Sequence, residues 1–458
     1  MDPTSGIWRT EAVSAAVASG DLGAIVRALR VANHLTLAQL AQLCDYSTAT
    51  LSRMERGKQP LTNVRVLRLL AEALQIPPQV LGLVDTPPPA GQRRRSTARV
   101  SVIQMPDEES DPMRRRALLA GLTGLAGTSI LGVPFALSTR PSDPVRALED
   151  ALLAPLTGAG VPVDPQRLRQ AVAHVRATFY AGRYAEAAVQ LLDLLPIAAA
   201  THATSVAHGQ AAVKGQLAEL HIITSELMIK VSNDPLAWTT ADRATQAAQD
   251  SGDTLTQAAA ARQWAIVLRR AGHASTAQRL VLDTAAGMQP DLRRGPDFFA
   301  AYGSLLSTAA YTAAVDGDRH TAHALIGEAA DAARQVGTDP ATRFAAFDTN
   351  GVGVYRISIA RVLGDYGTAI DAARHVDPNT IPLAEQRARY WSNIARSFHE
   401  WGKPEKCYRA LLAAEHAAPD EVRYRAPIQQ ITASLLHHPT PQALPGLHAF
   451  ARRIGTSA

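Results

Sequence analysis

The stretch from Thr36 to Gly57, TLAQLAQLCDYSTATLSRMERG, constrains the fold of this chain more than any other part of it. Its first half carries apolar residues at the spacing of an amphipathic helix. These are Leu37, Leu40 and Ala41. Asp45 and Tyr46 then break the pattern, and Ser47 is a favourable N-cap for a second helix. The stretch therefore predicts two short helices joined by a tight turn.

The second predicted helix has two different faces. Leu51 and Met54 lie three residues apart on the inward face, and Gly57 stands where a helix C-terminus is expected. Small or hydroxyl-bearing residues and one arginine face the other way. These are Thr48, Ala49, Ser52 and Arg53. Such a helix can enter the major groove of DNA, where a methyl group contacts thymine and an arginine binds guanine through two hydrogen bonds.

The segment from Leu22 to Leu83 resembles the Cro/repressor-type helix-turn-helix domain of the xenobiotic-response-element (XRE) family. The resemblance runs through Leu29-Arg30, Leu35-Thr36, Leu40-Ala41, Leu51-Ser52-Arg53, Glu55-Arg56-Gly57-Lys58, Pro60 and Leu70-Ala71. It implies a five-helix domain over residues 21–84. We expect the contacts with DNA to come from Thr36, Ser47, Thr48, Ala49, Ser52, Arg53 and Lys58.

The chain departs from this family at Leu37, where the family usually carries a glutamine that binds a phosphate. The departure removes one positioning contact and leaves base readout untouched. The alternative interpretation of residues 21–84 is a small helical bundle that does not bind DNA.

Arg30 and Glu55 form an expected structural pair, because the residues that match them pair in the family. Glu55 falls on the partly buried side of the second predicted helix. A buried carboxylate needs a partner of opposite charge. The alternative is that Arg30 is an ordinary solvated arginine.

Composition extends the helical prediction to the whole chain. Aromatic residues make up 5% of the 458 residues, alanine is abundant, and strand-like alternation is nearly absent, so we expect an all-α protein. The net charge of +5 is only mildly basic, so affinity for DNA must come from a local surface and from dimerisation. Residues 1–20 carry no long apolar core of the signal-peptide type, so we expect a loose N-terminal arm on a cytoplasmic protein.

Two segments of different composition follow the predicted DNA-binding domain. Residues 85–112 form a Pro- and Arg-rich linker, in which Arg93, Arg94 and Arg95 either touch DNA phosphates or belong to a solvated hinge. Residues 113–139 contain an uncharged run, 117–137, that is long enough to span a bilayer. Its glycines make it only modestly apolar. We therefore expect a linker helix packed in or beside the C-terminal domain, and a membrane anchor is the alternative.

Residues 140–458 are predicted to form stacked helix pairs. The signal is a glycine followed five positions later by a small residue. It occurs as Gly182/Ala187, Gly272/Ala277, Gly317/Ala322, Gly364/Ala369 and Gly402/Cys407. This resembles the tetratricopeptide (TPR) repeat, in which glycine makes the turn and the small residue lets two helices cross closely. The units are longer than in that family, and the gap between Gly182 and Gly272 leaves room for one degenerate repeat.

Repeats of this kind stack into an α-solenoid with a concave groove. The C-terminal half also resembles the effector half of large actinobacterial helix-turn-helix regulators. The matching stretches are RATFYAGRYAEAAVQLLDLLP, FDTNGVGVYRISIARVLGD, RARYWSNIARSFHEWGK and LLAAEHAAPDEV. Motifs for a metal, a phosphate loop or a dinucleotide do not occur, so we expect no catalytic residues, no metal and no cofactor.

The candidate effector-binding residues lie on two helices predicted to line the groove. They are Asn350, Tyr355 and Arg356 on the first helix and Arg389, Asn393 and Arg396 on the second. Asparagine can hold an extended peptide by its backbone, and arginine can bind a carboxylate. Alternatively, these residues tie neighbouring repeats together.

These patterns predict a cytoplasmic, homodimeric transcriptional regulator that binds double-stranded DNA sequence-specifically. Its C-terminal array would sense a peptide or small-molecule effector and mediate self-association. Two alternatives remain open on the sequence: a membrane-tethered sensor, and a scaffold that binds a partner protein through its repeats.

Overall fold

The fold was described from a computed structural model of the chain. The residues that it describes are 8, 10–44, 46, 48–59, 61, 64–81, 83, 143–153, 160–336, 344, 346–437 and 444–456. Within these residues the secondary structure consists of α-helices and short 3-10 helices, without a β-strand, which confirms the all-α prediction. The chain divides into two compact units, Met1–Arg114 and Arg115–Ala458. The predicted linker, 85–112, and the apolar segment, 113–139, lie outside the described residues.

The N-terminal unit contains five α-helices among its described residues, followed by a 3-10 turn at Pro78–Leu81. The helices are α1 (Glu11–Ser19), α2 (Leu22–Ala32), α3 (Leu37–Cys44), α4 (Thr48–Glu55) and α5 (Val64–Ala73). Asp21 caps α2, since its Oδ1 accepts hydrogen bonds from the backbone N–H groups of Gly23 and Ala24 at 2.9 and 3.3 Å. All five helices contribute apolar side chains to one core, which includes Leu29, Leu40 and Leu51.

The expectation of a loose arm over residues 1–20 was wrong for Glu11–Ser19, which forms α1. Val13 and Ala16 lie three residues apart on this helix and are buried in the core of the unit. The alanines of this stretch are strong helix formers, and Gly20 ends the helix in the left-handed conformation at φ 68°. Two small apolar contacts on one face therefore dock a helix whose other residues are exposed.

The C-terminal unit consists of α-helices packed in consecutive pairs. They are α6 (Pro144–Leu153), α7 (Pro165–Tyr180), α8 (Tyr184–Thr204), α9 (Ala207–Lys230), α10 (Asp234–Ser251), α11 (Thr254–Arg270), α12 (Ala274–Met288), α13 (Pro296–Asp316), α14 (Arg319–Ala333), α15 (Thr349–Val362), α16 (Tyr366–Arg374), α17 (Ala384–Glu400), α18 (Pro404–Ala417), α19 (Pro419–Arg423), α20 (Ala426–Leu436) and α21 (Leu447–Arg453). The odd-numbered helices from α7 to α17 contact one another in succession and form an inner row.

The predicted turn glycines lie between the two helices of a pair. Gly182, Gly272, Gly317, Gly364 and Gly402 all have positive φ, between 70° and 86°. The small residue five positions after each glycine is fully buried in the helix that follows. Between α9 and α10 the same turn is made by Ser232 at φ 62°, and Ala237 follows it five residues later. This is the position of the degenerate repeat, where serine stands in place of glycine.

The last helix pair of the inner row meets the first. Helix α17 contacts α7, and the backbone N–H of Tyr184 donates a hydrogen bond to Asp420 Oδ2 at 2.9 Å. A Cβ atom added to Gly182 would lie 2.6 Å from the Cβ of Ala418, so only glycine fits between these segments. The inner row therefore curls far enough to bring residues more than two hundred positions apart into contact.

One described helix, α13, is long and apolar enough to cross a membrane by length and composition alone. It contacts α11, α12, α14 and α15, and 83% of its most apolar window is buried inside the protein. The run 117–137, which the sequence analysis considered as a membrane anchor, lies outside the described residues.

Candidate functional site

Thr36 starts the first of the two short helices. The backbone N–H of Thr36 donates a hydrogen bond to Gln39 Oε1 at 2.8 Å, and the N–H of Gln39 donates to Thr36 Oγ1 at 3.2 Å. This reciprocal capping box satisfies two backbone donors at the N-terminus of α3. The hydroxyl of Thr36 is therefore occupied in holding the helix start.

Helix α4 is divided into a buried and an accessible side. Thr50, Leu51, Met54 and Glu55 are buried against the core. Thr48 is exposed and Ser52 is half-buried, as expected for the outer face. Ser47 and the side chain of Ala49 lie outside what the structure describes.

Arg53 and Lys58 lie near the end of α4. Arg53 is half-buried, and its Nη2 donates a hydrogen bond to Thr50 Oγ1 on the preceding turn at 3.0 Å. Gly57 takes a positive φ of 64°, which turns the chain back so that the N–H of Lys58 donates to the carbonyl of Arg53 at 2.9 Å. The side chain of Lys58 is exposed beside the helix end.

Arg56 is a further cation on this surface, which the sequence analysis did not select. It is exposed, and its Nε donates a hydrogen bond to the carbonyl of Ser52 at 2.9 Å. Its position four residues after Ser52 and eight after Thr48 puts all three residues along one stripe of the helix. That spacing is a signal in the sequence that could have identified it.

The expected pair between Arg30 and Glu55 is present in the structure. Arg30 Nε and Nη2 donate to the two carboxylate oxygens of Glu55 at 2.5 and 3.0 Å, and Arg30 Nη1 donates to the carbonyl of Leu35 at 2.7 Å. The hydrogen bond with Glu55 raises the pKa of Arg30. A Cβ atom added to Gly23 would lie 2.4 Å from the carbonyl oxygen of Met54, so α2 and α4 cross closely. The pair and this close crossing hold α4 in position.

Residues 21–82 match the model of a protein family described as a helix-turn-helix domain. The matched segment begins at the cap of α2 and ends after the 3-10 turn, so it includes α3, α4 and the turn between them. This chain contains a helix-turn-helix domain. No curated protein matches the chain.

In the C-terminal unit, the two predicted asparagines bind different neighbours. Asn350 is half-buried, and its Nδ2 donates to Thr380 Oγ1 at 3.2 Å. Asn393 Nδ2 donates to Ser358 Oγ at 2.7 Å and so joins α17 to α15. These contacts agree with the alternative in which the two asparagines tie neighbouring segments together, because their amides bind different side chains of the protein itself.

The glycines next to Asn350 have a packing role. A Cβ atom at Gly351 would lie 2.5 Å from the carbonyl oxygen of Ala346, and one at Gly353 would lie 2.4 Å from Val376 Cγ2. Close helix packing therefore explains why α15 tolerates these poor helix formers.

Tyr355 and Arg356 lie on different sides of α15. Arg356 is exposed, whereas Arg262 Nη2 on α11 donates a hydrogen bond to the hydroxyl of Tyr355 at 3.2 Å. Burial alone would raise the pKa of Tyr355, but the charges of Arg262 and Arg389 lower it to about 8. Tyr355 and Arg389 therefore share one electrostatic environment, and Arg356 lies outside it.

Charged and phenolic side chains of the inner row, together with three from adjoining segments (Tyr184, Glu421 and Arg425), form what we call the interior ionic cluster. Its basic members are Lys230, Arg262, Arg269, Arg361, Arg389, Arg396 and Arg425; its carboxylates are Glu226, Glu385, Glu400 and Glu421; its tyrosines are Tyr180, Tyr184, Tyr311 and Tyr355. Basic side chains outnumber carboxylates within it. In the described part of the chain, no group of three or more His, Cys, Asp or Glu side chains could hold a metal ion.

One part of the interior ionic cluster is closely paired around Lys230. Lys230 Nζ lies 2.6 Å from Glu385 Oε1 and 2.7 Å from Glu421 Oε2, and the hydroxyl of Tyr184 donates to the same Glu421 oxygen at 2.5 Å. Arg425 Nη1 completes the set at 2.9 Å from Glu421 Oε1. The positive charges around Glu385 lower its pKa to about 2, although burial alone would raise it. These contacts join α9, α17 and α19, where the inner row closes on itself.

Proposed function

We propose that this protein is a transcriptional regulator that binds double-stranded DNA sequence-specifically through its helix-turn-helix domain. The observation that supports this most directly is the division of α4. Leu51 and Met54 are buried, while Thr48, Ser52 and Arg53 remain on the accessible side, in a segment that matches a helix-turn-helix family. A polar, small-residue helix face of this kind fits the major groove.

Arg53 is the residue that we assign to base readout. Its guanidinium can bind guanine through two hydrogen bonds once it exchanges its contact with Thr50 for the base. Lys58 and Arg56, at the end of α4, bind phosphates and so supply affinity without sequence information. The backbone N–H groups at the capped start of α3, beside Thr36, lie at a helix terminus that favours a phosphate.

The proposal includes an XRE/Cro-type domain that works as a homodimer in the cytoplasm. Dimers of such domains bind two half-sites about one helical turn apart. The net charge of +5 is small for a protein of 458 residues, which favours a mode of binding in which two domains share the DNA.

The C-terminal unit would act as a TPR-like sensor and self-association domain without catalytic activity. Its support is the inner row of helices, the turns with positive φ, and the interior ionic cluster. We assign the effector to Tyr355, Arg389 and Arg396 within that cluster. The assignment excludes Asn350, Asn393 and Arg356, because the asparagines bind neighbouring side chains and Arg356 is exposed on the other side of α15.

Selection of binding sites from a pool of random double-stranded DNA tests this proposal. We expect the full-length protein to enrich one sequence as two half-sites whose centres lie about 10 base pairs, or a multiple of that, apart. Enrichment of single half-sites would contradict the homodimer. A selected pool that is no different from the starting pool would contradict sequence-specific binding.

A further inference from the structure

A second part of the interior ionic cluster carries more positive than negative charge. It contains Arg269 on α11, Tyr311 on α13, Arg361 on α15 and Arg396 on α17, so four successive helices of the inner row contribute to it. The guanidinium carbon of Arg269 lies 4.8 Å from the centre of the Tyr311 ring. Burial alone would raise the pKa of Tyr311, but the charges of Arg361, Arg269 and Arg396 lower it. The charges of the three arginines therefore act on one shared space beside the Tyr311 hydroxyl.

The three arginines are incompletely paired. Arg361 Nη1 donates to Glu400 Oε1 at 2.9 Å, but its Nε is buried and has no hydrogen-bond partner among the described residues. Arg269 Nη1 binds only a hydroxyl, Thr312 Oγ1, at 3.2 Å. Arg396 forms no hydrogen bond or ion pair with any residue in the described part of the chain.

This arrangement is unfavourable as long as the space holds no anion. Burial, followed by the nearby charge of Arg361, lowers the pKa of Arg396 to about 10, and burial also lowers the pKa of Arg269. Buried charges are normally paired, because an unpaired one costs a large desolvation free energy. Arg361 and Arg396 share the single carboxylate of Glu400, and Arg269 adds a third guanidinium beside Tyr311, so at least one further anion can be accommodated.

We propose that this space binds a small organic anion through a carboxylate or phosphate group, whose oxygens accept hydrogen bonds from the half-buried guanidinium groups of Arg396 and Arg269. The planar guanidinium fork matches both kinds of group. Arg269, stacked over Tyr311, forms the adjoining wall. Arg269, Tyr311 and Arg396 are each half-buried, so solvent reaches part of each side chain. The inference rests on the proposed effector function and specifies the chemical class of its ligand.

Calorimetric titration of the full-length protein tests the site, with inorganic phosphate and citrate as separate probes at constant ionic strength in chloride. We expect at least one probe to bind saturably, and the stronger one identifies phosphate or carboxylate as the preferred group. Arg396→Gln should weaken that binding about tenfold or more, as expected for the loss of a charge-assisted hydrogen bond. Arg356→Gln is the matched control, since Arg356 is an exposed arginine on α15, and should bind as the wild type does.

Thermal unfolding without any probe gives an independent readout. Arg396→Gln should unfold at a higher temperature than the wild type, because it removes a half-buried charge that has no partner. A probe should then raise the unfolding temperature of the wild type more than that of the variant. The inference is overturned if neither probe binds saturably, if Arg356→Gln weakens binding as much as Arg396→Gln, or if Arg396→Gln unfolds early without a probe.

DNA binding, measured with and without the probe, separates this inference from the function on which it rests. If the anion binds in the cluster and DNA affinity does not change, the anion site is supported and the effector role of the C-terminal unit is contradicted. If DNA binding is sequence-specific but neither probe binds, the anion site falls and the DNA-binding function stands.

Discussion

The buried carboxylate of Glu55 in the N-terminal unit is matched by one arginine, whereas the C-terminal unit brings many charged side chains together along its inner row. Glu55 and Arg30 leave only 4% and 12% of their side chains exposed, and they bind each other through two hydrogen bonds. In the C-terminal unit, Lys230 is shared between two carboxylates, while Arg396 has none within hydrogen-bond reach in the described part of the chain.

This difference distinguishes buried charges that stabilise the structure from buried charges that are placed to bind a ligand. In the helix-turn-helix domain the buried ion pair holds α4, and Thr48, Ser52 and Arg53 lie on its accessible face. In the C-terminal unit, the paired charges around Lys230 lie where the inner row closes on itself. The incompletely paired arginines, Arg269, Arg361 and Arg396, face the interior. We therefore predict that breaking the Arg30–Glu55 pair destabilises the N-terminal unit, and that removing Lys230 destabilises the C-terminal unit.

The largest effect is expected for Lys230→Met. The substitution leaves Glu385 and Glu421 in a site where their side chains are 4% and 0% exposed. Glu385 then keeps only Arg389, at 3.9 Å, and Glu421 keeps Arg425 and the hydroxyl of Tyr184. Breaking a buried ion pair by removing one partner costs about 3–5 kcal/mol. We therefore expect the unfolding transition of the C-terminal unit in urea to shift to a much lower concentration.

Lys214→Met is the matched control, because Lys214 lies on the same helix, α9, and pairs with the exposed Asp250 at 2.7 Å. An exposed ion pair contributes little, so this variant should unfold close to the wild type. Equal stability of the two variants would contradict the structural role assigned to the contacts around Lys230.

A somewhat smaller effect is expected for Arg30→Met, which leaves one buried carboxylate instead of two. The loss of the partner of Glu55 should cost the N-terminal unit roughly 3 kcal/mol, at the lower end of the range for buried pairs. The control is Arg27→Met, an exposed arginine on the same helix, α2. Unfolding is followed by circular dichroism during a denaturant titration. If both variants unfold at the same denaturant concentration, the pair does not hold α4 in position.

Local patterns predicted much of this fold. The two short helices α3 and α4 and the turn at Gly57 were predicted correctly, because capping and apolar spacing act within a few residues. The turn glycines were found because a left-handed turn favours glycine strongly. The turn at Ser232 was not predicted, because it contains no glycine. Helix α1 was not predicted, because only Val13 and Ala16 connect it to the core.

The interior ionic cluster could not be predicted from local patterns. Its members come from helices between Tyr180 and Arg425 in the sequence, and they meet only because the inner row curls on itself. Tyr355 and Arg356 are neighbours in sequence, yet only Tyr355 joins the cluster. The choice of Asn350 and Asn393 relied on hydrogen-bonding capacity alone, which side chains of adjacent helices already use.

The most direct test of the central assignment, that α4 reads DNA sequence, compares Arg53→Ala with Lys58→Ala on a selected sequence and on random DNA. We expect Arg53→Ala to weaken binding to the selected sequence by roughly 1–3 kcal/mol and to relax specificity at one base pair, because it removes a base contact. Lys58→Ala should weaken binding to both DNAs alike, because it removes a phosphate contact. If Arg53→Ala binds both DNAs as the wild type does, Arg53 does not read a base and the assigned face of α4 is wrong.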